Sequence, residues 1–243
     1  MRFLYLSFFI VLFSCSTDSD LANHPESASQ LQPQDALTRK LEPHPAQNPS
    51  NPYDYSGQLF DSLFSAYHNA DELPVTTATI VARVNKVAEE NAQFASLKNA
   101  YYTPVSAIDI TALLSNPLNC VSDFTNASGL SATGKTRLAA FINGVVPLCN
   151  TATDYQIVHD YISTFETITL QATGLSAYDK EIMLITSSIA RYSAYRKPKK
   201  PKKKEDPEWD LLITHVTAGA EGAELGVCEA TSRALATGIA GQP

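Results

Sequence analysis

The chain has 243 residues, 44% of them hydrophobic and 18% charged. This is enough for one ordinary core and is unlike the composition of a disordered protein. The formal net charge of −7 is mild, and most of the lysines lie in one run near residue 200. We therefore predict no nucleic-acid partner, because such proteins carry a basic excess over their binding surface.

Residues 1–14 predict an export signal. Arg2 supplies the positive charge, and residues 3–13 form an apolar segment too short to span a bilayer. Leu12-Phe13-Ser14-Cys15 resembles a lipobox, the signal after which bacterial lipoproteins are cleaved and acylated on the cysteine, although Phe13 replaces the commoner small residue. The alternative is an ordinary secretory signal with an incidental cysteine. The motif predicts lipidation at Cys15 and a membrane partner reached through the lipid.

Residues 15–52 predict a disordered tether. They contain no glycine, few apolar side chains and six prolines: Pro25, Pro33, Pro43, Pro45, Pro49 and Pro52. Such a segment cannot bury enough surface to fold, and a random-coil estimate places the body about 35 Å from the lipid. The acidic start, CSTDSD, resembles the export signals of some Bacteroidota lipoproteins. That likeness implies anchoring in the outer membrane of a Gram-negative bacterium and leaves open which face is used.

Residues 53–195 predict an all-α body, a single bundle of five to six helices, because apolar residues recur at helical spacing and no run alternates with period two. Apolar stripes predict the first two helices: Phe60, Leu63, Phe64 and Tyr67, then Ile80, Val84, Val87, Asn91 and Phe94. Thr103-Pro104 predicts the cap and first turn of a third helix that carries Val105, Ile108 and Leu113.

Three further helices follow along the chain. The fourth begins near Ser131 and buries Leu138, Phe141, Ile142, Val145 and Val146; the fifth presents Val158, Ile162, Phe165 and Ile168. The sixth opens with an approximate capping box from Ser176 to Asp179 and runs through Ile182, Ile185, Ile189 and Tyr192. The fourth and fifth helices are amphipathic.

GLSATGKT, residues 129–136, matches the phosphate-loop pattern. A phosphate loop needs a buried strand before it and a helix whose N-terminal amides face the phosphates, but the preceding residues 117–128 are polar and turn-rich. The pattern therefore predicts no nucleotide site and no cofactor: Ser131 caps a helix, and Lys135 lies on its solvated face. An exported protein would also meet little ATP.

The histidines and cysteines do not indicate a metal or catalytic site. His24, His44, His68, His159 and His215 lie in separate segments without a second ligand at helical spacing, and no nucleophile-elbow or paired-cysteine motif is present. Cys120 and Cys149 flank the fourth helix and could form a disulfide in an oxidising compartment. Buried free thiols are the alternative for these cysteines and for Cys228.

Residues 196–207 predict a solvated basic linker, because prolines interrupt it and acidic residues follow. Its cations are Arg196, Lys197, Lys199, Lys200, Lys202, Lys203 and Lys204. They could attract an anionic lipid or polysaccharide surface, or the run could simply be a soluble hinge.

Residues 208–243 hold half of the ten glycines, with many alanines. Because glycine weakens a helix, we expect a helix over 208–241 that is docked through Gly219, Gly222 and Gly226. Docking on the bundle or on a partner, or self-association, is favoured over membrane insertion, since Glu221, Glu224 and other charges oppose a bilayer span.

Three segments together, NPYDYSGQL at 51–59, residues 175–195 and the Gly/Ala-rich tail, resemble uncharacterised small helical lipoproteins of Bacteroidota. The resemblance carries no activity or functional residue. The sequence favours a tethered, non-enzymatic interaction or envelope-structural module. The alternatives are a membrane-active, bacteriocin-like protein acting through the tail and a secreted enzyme of unrecognised type.

Overall fold

The computed structural model describes residues 43–69, 72–196 and 211–242, which contain ten α-helices and no strand. The all-α prediction is therefore confirmed. The predicted signal peptide, Cys15 and the cations from Lys197 to Lys204 lie outside the described residues. The helices are α1 Asp54–His68, α2 Thr77–Glu89, α3 Ala92–Leu97, α4 Ala107–Ser115, α5 Cys120–Ala127, α6 Ala132–Thr151, α7 Tyr155–Gln171, α8 Ala177–Tyr195, α9 Ile213–Ala223 and α10 Val227–Ala240.

Capping residues set where several helices begin. Ser131 accepts a hydrogen bond from the Gly134 amide at the start of α6, and Ser176 forms a capping box with Asp179 at the start of α8, as the sequence predicts. The predicted start at Thr103-Pro104 is wrong, since α4 follows the cap Ser106. Side-chain oxygens placed two or three residues before a free amide decide these boundaries.

The bundle has more and shorter helices than the sequence predicts. Asn91 ends the predicted second stripe because its side chain caps a separate helix, α3, by accepting from the Phe94 amide. Residues 120–127, which sequence reasoning places in a polar loop, form α5 and bury Cys120, Val121 and Phe124. Short amphipathic helices of this kind have too few turns to show a clear period.

Helix α8 lies at the centre of the body and packs against α1, α6, α7, α9 and α10. Every residue from Ile182 to Ala194 is buried, including Arg191 and several hydroxyl side chains. A helix that is covered on all sides must satisfy its polar groups within the protein, because burying them without partners is costly. The polar residues of α8 therefore determine much of how its neighbours pack.

The C-terminal segment forms a helical hairpin rather than the single helix predicted over 208–241. The chain turns between α9 and α10 at Gly226, whose φ of 150° favours glycine. A Cβ on Gly222 would lie 2.5 Å from the backbone of Ala230, so only glycine allows the two helices to approach this closely. Within the described residues no helix is both long and apolar enough to span a membrane.

The folded body begins at Pro43, so the predicted tether boundary after Pro52 is wrong. Residues 43–53 form successive turns, among them Gln47 amide to His44 carbonyl at 2.8 Å and Asn51 amide to Asn48 carbonyl at 3.0 Å. Ala46 and Asn51 are buried. Proline and asparagine here build turns packed on the helices, which composition alone does not distinguish from a disordered spacer.

Candidate functional site

Among the residues that the structure describes, the largest group of buried charges is centred on Arg191 of α8. One guanidinium nitrogen, Nη2, donates to Asp54 Oδ1 at 2.7 Å and to Glu166 Oε1 at 3.1 Å, and Nη1 donates to the Ala46 carbonyl. The side chains of Arg191 and Glu166 are fully buried. Burial lowers the pKa of Arg191, but the two carboxylates raise it by more, so the guanidinium stays charged.

Amide and hydroxyl groups complete this cluster. Asn48 and Asn51 donate to the two oxygens of Glu166 at 2.6 and 2.7 Å, and Ser187 donates to Oε1 at 3.0 Å. Gln58 and Tyr192 donate to Asp54. The hydrogen bonds join the N-terminal turns to α1, α7 and α8, so we interpret the cluster as a structural junction.

Two of the three segments on which the family resemblance depends contact each other at this junction. The Gly57 amide donates to Ser188 Oγ at 3.0 Å, and a Cβ on Gly57 would lie 2.2 Å from the Tyr192 ring. His44 stacks on Tyr192 with ring centroids 4.9 Å apart. NPYDYSGQL and the Arg191 region of α8 are therefore two halves of one packing interface.

The phosphate-loop match has a structural explanation. Asp179 of α8 accepts from the Ser131 amide and hydroxyl at 2.8 Å each, and also from the amide and hydroxyl of Ser176. Burial raises the pKa of Asp179, but these four hydrogen bonds lower it by more. The carboxylate thus occupies the N-terminus of α6, and a Cβ on Gly134 would lie 2.4 Å from it.

Glu224 makes a second link to the same region. Its Oε1 accepts from the Gly129 amide at 2.8 Å and from the Tyr178 hydroxyl at 3.0 Å. Burial and the hydrogen bond to Glu224 raise the pKa of Tyr178 to about 12. Lys135, which the sequence places on the solvated face, reaches only the Asn126 carbonyl, at 3.4 Å. The residues of GLSATGKT that touch other elements therefore join α6 to α8 and to the α9–α10 turn.

An acidic cleft of about 420 Å³ lies where α4, α5, α9 and α10 meet; it is lined by Asp109, Ala112, Leu113, Asn116, Cys120, Asp123, Glu221 and Arg233. Arg233 forms ion pairs with Asp109 at 3.4 Å and Glu221 at 3.5 Å. Burial raises the pKa of Glu221, Arg233 opposes the rise, and Asp109 adds to it. With three carboxylates and one cation, the cleft suits a cationic or hydrogen-bond-donating group.

A second cavity, of about 240 Å³, lies between α6 and α7; we call it the α6–α7 groove. It is lined by Arg137, Ala140, Phe141, Tyr161, Phe165, Ile168 and Thr169. Phe141 stacks on Phe165 with centroids 4.2 Å apart, and on Tyr161 at 6.2 Å. The groove therefore has a stacked aromatic floor with one cation beside it.

The groove continues into an exposed apolar face of α7. Ile157, Tyr161 and Ile168 are 50%, 37% and 52% exposed, and with Phe165 they follow helical spacing along one face. We call these four residues the α7 stripe. A Cβ on Gly144 would lie 2.3 Å from the Tyr161 hydroxyl, so glycine lets this ring lie against α6. The sequence assigns Phe165 and Ile168 to a buried face, which is wrong for Ile168.

The structure separates the remaining predicted site residues. Cys120, Cys149 and Cys228 are buried free thiols, so the predicted pairing of Cys120 with Cys149 is absent. The Cys120 thiol instead donates to the Pro117 carbonyl at 3.2 Å, while burial raises the pKa of Cys228 to about 11. Burial, which also raises the pKa of Cys120, makes both thiols weak nucleophiles.

Arg196, Gly222 and Gly226 make packing contacts within the body, whereas packing does not require a glycine at Gly219. The sequence places Arg196 in the free basic linker, but it caps the end of α8 and donates to Asp61 Oδ1 at 2.6 Å and Ser65 Oγ at 2.8 Å. Gly222 and Gly226 shape the α9–α10 hairpin, and a Cβ on Gly219 would make only an ordinary 3.5 Å contact with Ala234. The docking prediction thus describes packing inside the body.

No protein-family model, curated protein or solved structure matches this chain. The resemblance to Bacteroidota lipoproteins therefore stays a prediction based on the three quoted segments.

Proposed function

We propose that the protein is an exported, lipid-anchored lipoprotein whose helical body is a non-enzymatic binding module. Support for the anchor comes from the sequence: an apolar segment at residues 3–13 ends in Leu-Phe-Ser-Cys15. The proposal keeps a spacer between Cys15 and the body, whose described part begins at Pro43. The proposal includes acylation at one cysteine and an outer-membrane location. It leaves open which face of that membrane is used.

We base the proposed binding role on the α7 stripe, which lies beside the α6–α7 groove. Large apolar side chains at helical spacing are normally buried, and contiguous exposed ones mark sites of interaction. The small-residue hairpin, in contrast, has its alanines inside the body: Ala218, Ala220, Ala230, Ala234 and Ala236 are buried. We therefore assign binding to the groove and stripe rather than to the C-terminal segment.

Palmitate labelling in a Gram-negative host tests the anchor. Wild-type protein is expected to incorporate label and to sediment with outer membranes, whereas Cys15→Ser should lose both properties. Cys120→Ser is the matched control and should keep the label, because its thiol is buried in the body. Full labelling of the Cys15→Ser variant would contradict the proposed anchor.

An enzyme is the second candidate, and the acidic cleft is the observation that favours it. Titratable groups converge there, and the raised pKa of Glu221 is the kind of shift that a general acid needs. Hydrolysis of chromogenic glycosides, esters and peptides by wild-type protein and by Glu221→Gln tests this candidate. Activity that Glu221→Gln abolishes without unfolding would establish it over the binding module.

The membrane-active alternative requires the hairpin to leave the body. Its buried alanine face contacts α1, α2 and α8, so exposing it would disrupt the core. Dye leakage from anionic vesicles treated with folded, full-length protein tests this alternative. The binding-module proposal expects no leakage at micromolar protein.

A further inference from the structure

We infer that the α6–α7 groove binds a small amphipathic monocarboxylate, with its apolar part on the aromatic floor and its carboxylate at Arg137. This assignment rests on the proposed role as a binding module and names the class of ligand. It does not depend on the lipid anchor.

The lining of the groove suits the apolar part of such a ligand. Phe141 and Phe165 stack face to face, and Tyr161 extends the floor towards Gly144. Ile168 stands half exposed at the edge of the cavity, where a ligand would remove it from water. Covering these groups is favourable because buried apolar area stabilises by about 25 cal/mol per Å².

Arg137 supplies the charge. It lines the cavity and is partly buried, and none of the ion pairs within residues 43–69, 72–196 and 211–242 includes it. Arg191, Arg196 and Arg233, in contrast, each pair with a carboxylate. A planar guanidinium beside an aromatic floor is suited to hold a carboxylate through two hydrogen bonds.

Thr169 lines the groove but does not by itself indicate a ligand. Its side chain is 1% exposed and lines the groove, yet its hydroxyl has no hydrogen-bond partner in the structure. Most buried hydroxyls on these helices bond to a carbonyl one turn earlier, as Thr186 does to Ile182 at 2.7 Å. The Thr169 hydroxyl oxygen has almost no accessible surface, so a ligand in the groove would not reach it, and the assignment depends on Arg137 and the aromatic floor.

The volume limits the size of the ligand. A cavity of about 240 Å³ is smaller than a drug-sized site. It holds about eight groups of the size of a water molecule. An eight-carbon acid is therefore a suitable probe, and octanoate combines that length with one carboxylate.

Calorimetric titration of octanoate into the full-length Cys15→Ser chain, which has no acyl group to compete, tests the inference. We expect one site per chain, with 1-octanol bound about tenfold more weakly because it lacks the charge. Arg137→Gln should weaken octanoate binding to the level of octanol and leave octanol unchanged. Lys135→Gln is the matched control on the same helix and should bind octanoate as the unsubstituted chain does.

One further variant sharpens the test. Gly144→Leu should displace Tyr161 and weaken both probes. Circular dichroism confirms folding of each variant. The inference is overturned if the folded chain binds no octanoate, if Lys135→Gln weakens binding as much as Arg137→Gln, or if sedimentation shows that a second copy covers the groove. Palmitate labelling is read separately, so loss of the anchor and loss of the ligand site are distinguishable.

Discussion

The two sides of α7 differ in the surroundings of their side chains. The inner side contributes Glu166, which is fully buried and accepts hydrogen bonds from Asn48, Asn51, Ser187 and Arg191. The outer side contributes apolar groups that stay in water. Buried charge on the inner side holds the fold together, and exposed apolar side chains form the face that we assign to binding.

The largest expected effect is that of Arg191→Met, which leaves Asp54 and Glu166 buried without their cation. Breaking a buried ion pair by removing one partner costs about 3–5 kcal/mol. Urea unfolding monitored by circular dichroism measures this loss. Arg196→Met is the matched control: Arg196 also pairs with an aspartate but is partly exposed, so its loss should cost about 1 kcal/mol or less. Equal losses would contradict the distinction between the inner junction and the surface.

Gly222→Leu is expected to destabilise by about 3 kcal/mol, because the added side chain must displace the backbone of Ala230. The measurement is again urea unfolding. Gly174→Ala provides a control at a glycine with open space around it, and it should be neutral or stabilise by up to about 1 kcal/mol. A Gly222→Leu chain as stable as wild type would mean that the hairpin does not pack in the body.

Acidification should destabilise the protein through His215. Burial lowers the pKa of this residue from 6.5 to about 3, so the unfolded chain binds a proton first as the pH falls. The stabilisation is complete above about pH 6.5 and decreases towards pH 3; at pH 5 the loss is about 2 kcal/mol. Unfolding measured at pH 7 and pH 5 should show this loss in wild type and little of it in His215→Gln. If His215→Gln loses as much stability between pH 7 and pH 5 as wild type does, His215 is not the source of the loss.

The smallest expected effect is that of Thr169→Val in the absence of ligand. Removing a buried hydroxyl that has no partner should raise the free energy of unfolding by about 1 kcal/mol. Thr186→Val is the control, since the Thr186 hydroxyl does bond to a carbonyl; it should be neutral or destabilising. If Thr169→Val destabilises more than Thr186→Val, the Thr169 hydroxyl has a partner in the folded protein.

The helical class and several boundaries follow from local patterns in the sequence. The stripe from Phe60 to Tyr67 is buried in α1, and Ser131 and Ser176 cap α6 and α8, because period and capping depend on residues less than two turns apart. Asn91 shows the limit of this reasoning: its place in an apolar period suggests a core position, but its side chain ends one helix and begins another.

The ion cluster and the groove depend on contacts between distant residues, which periodicity does not reveal. Arg191 reaches Asp54 across 137 positions of sequence. One signal could have indicated the cluster: an arginine within the apolar run from Ile182 to Ala194, which needs a buried partner. No feature of the sequence indicates that Ile168 is exposed. An apolar stripe has the same sequence pattern whether it packs against the body or contacts a ligand.

The central claim is that binding occurs at the outer side of α7 and not at the acidic cleft or the C-terminal hairpin. Amide chemical shifts of the full-length Cys15→Ser chain, recorded during octanoate titration, test it most directly. We predict saturable shifts around Arg137, Tyr161 and Ile168, with no change at Asp109, Glu221 or Gly222. Shifts confined to the cleft or the hairpin, with the α7 stripe unchanged, would contradict the claim.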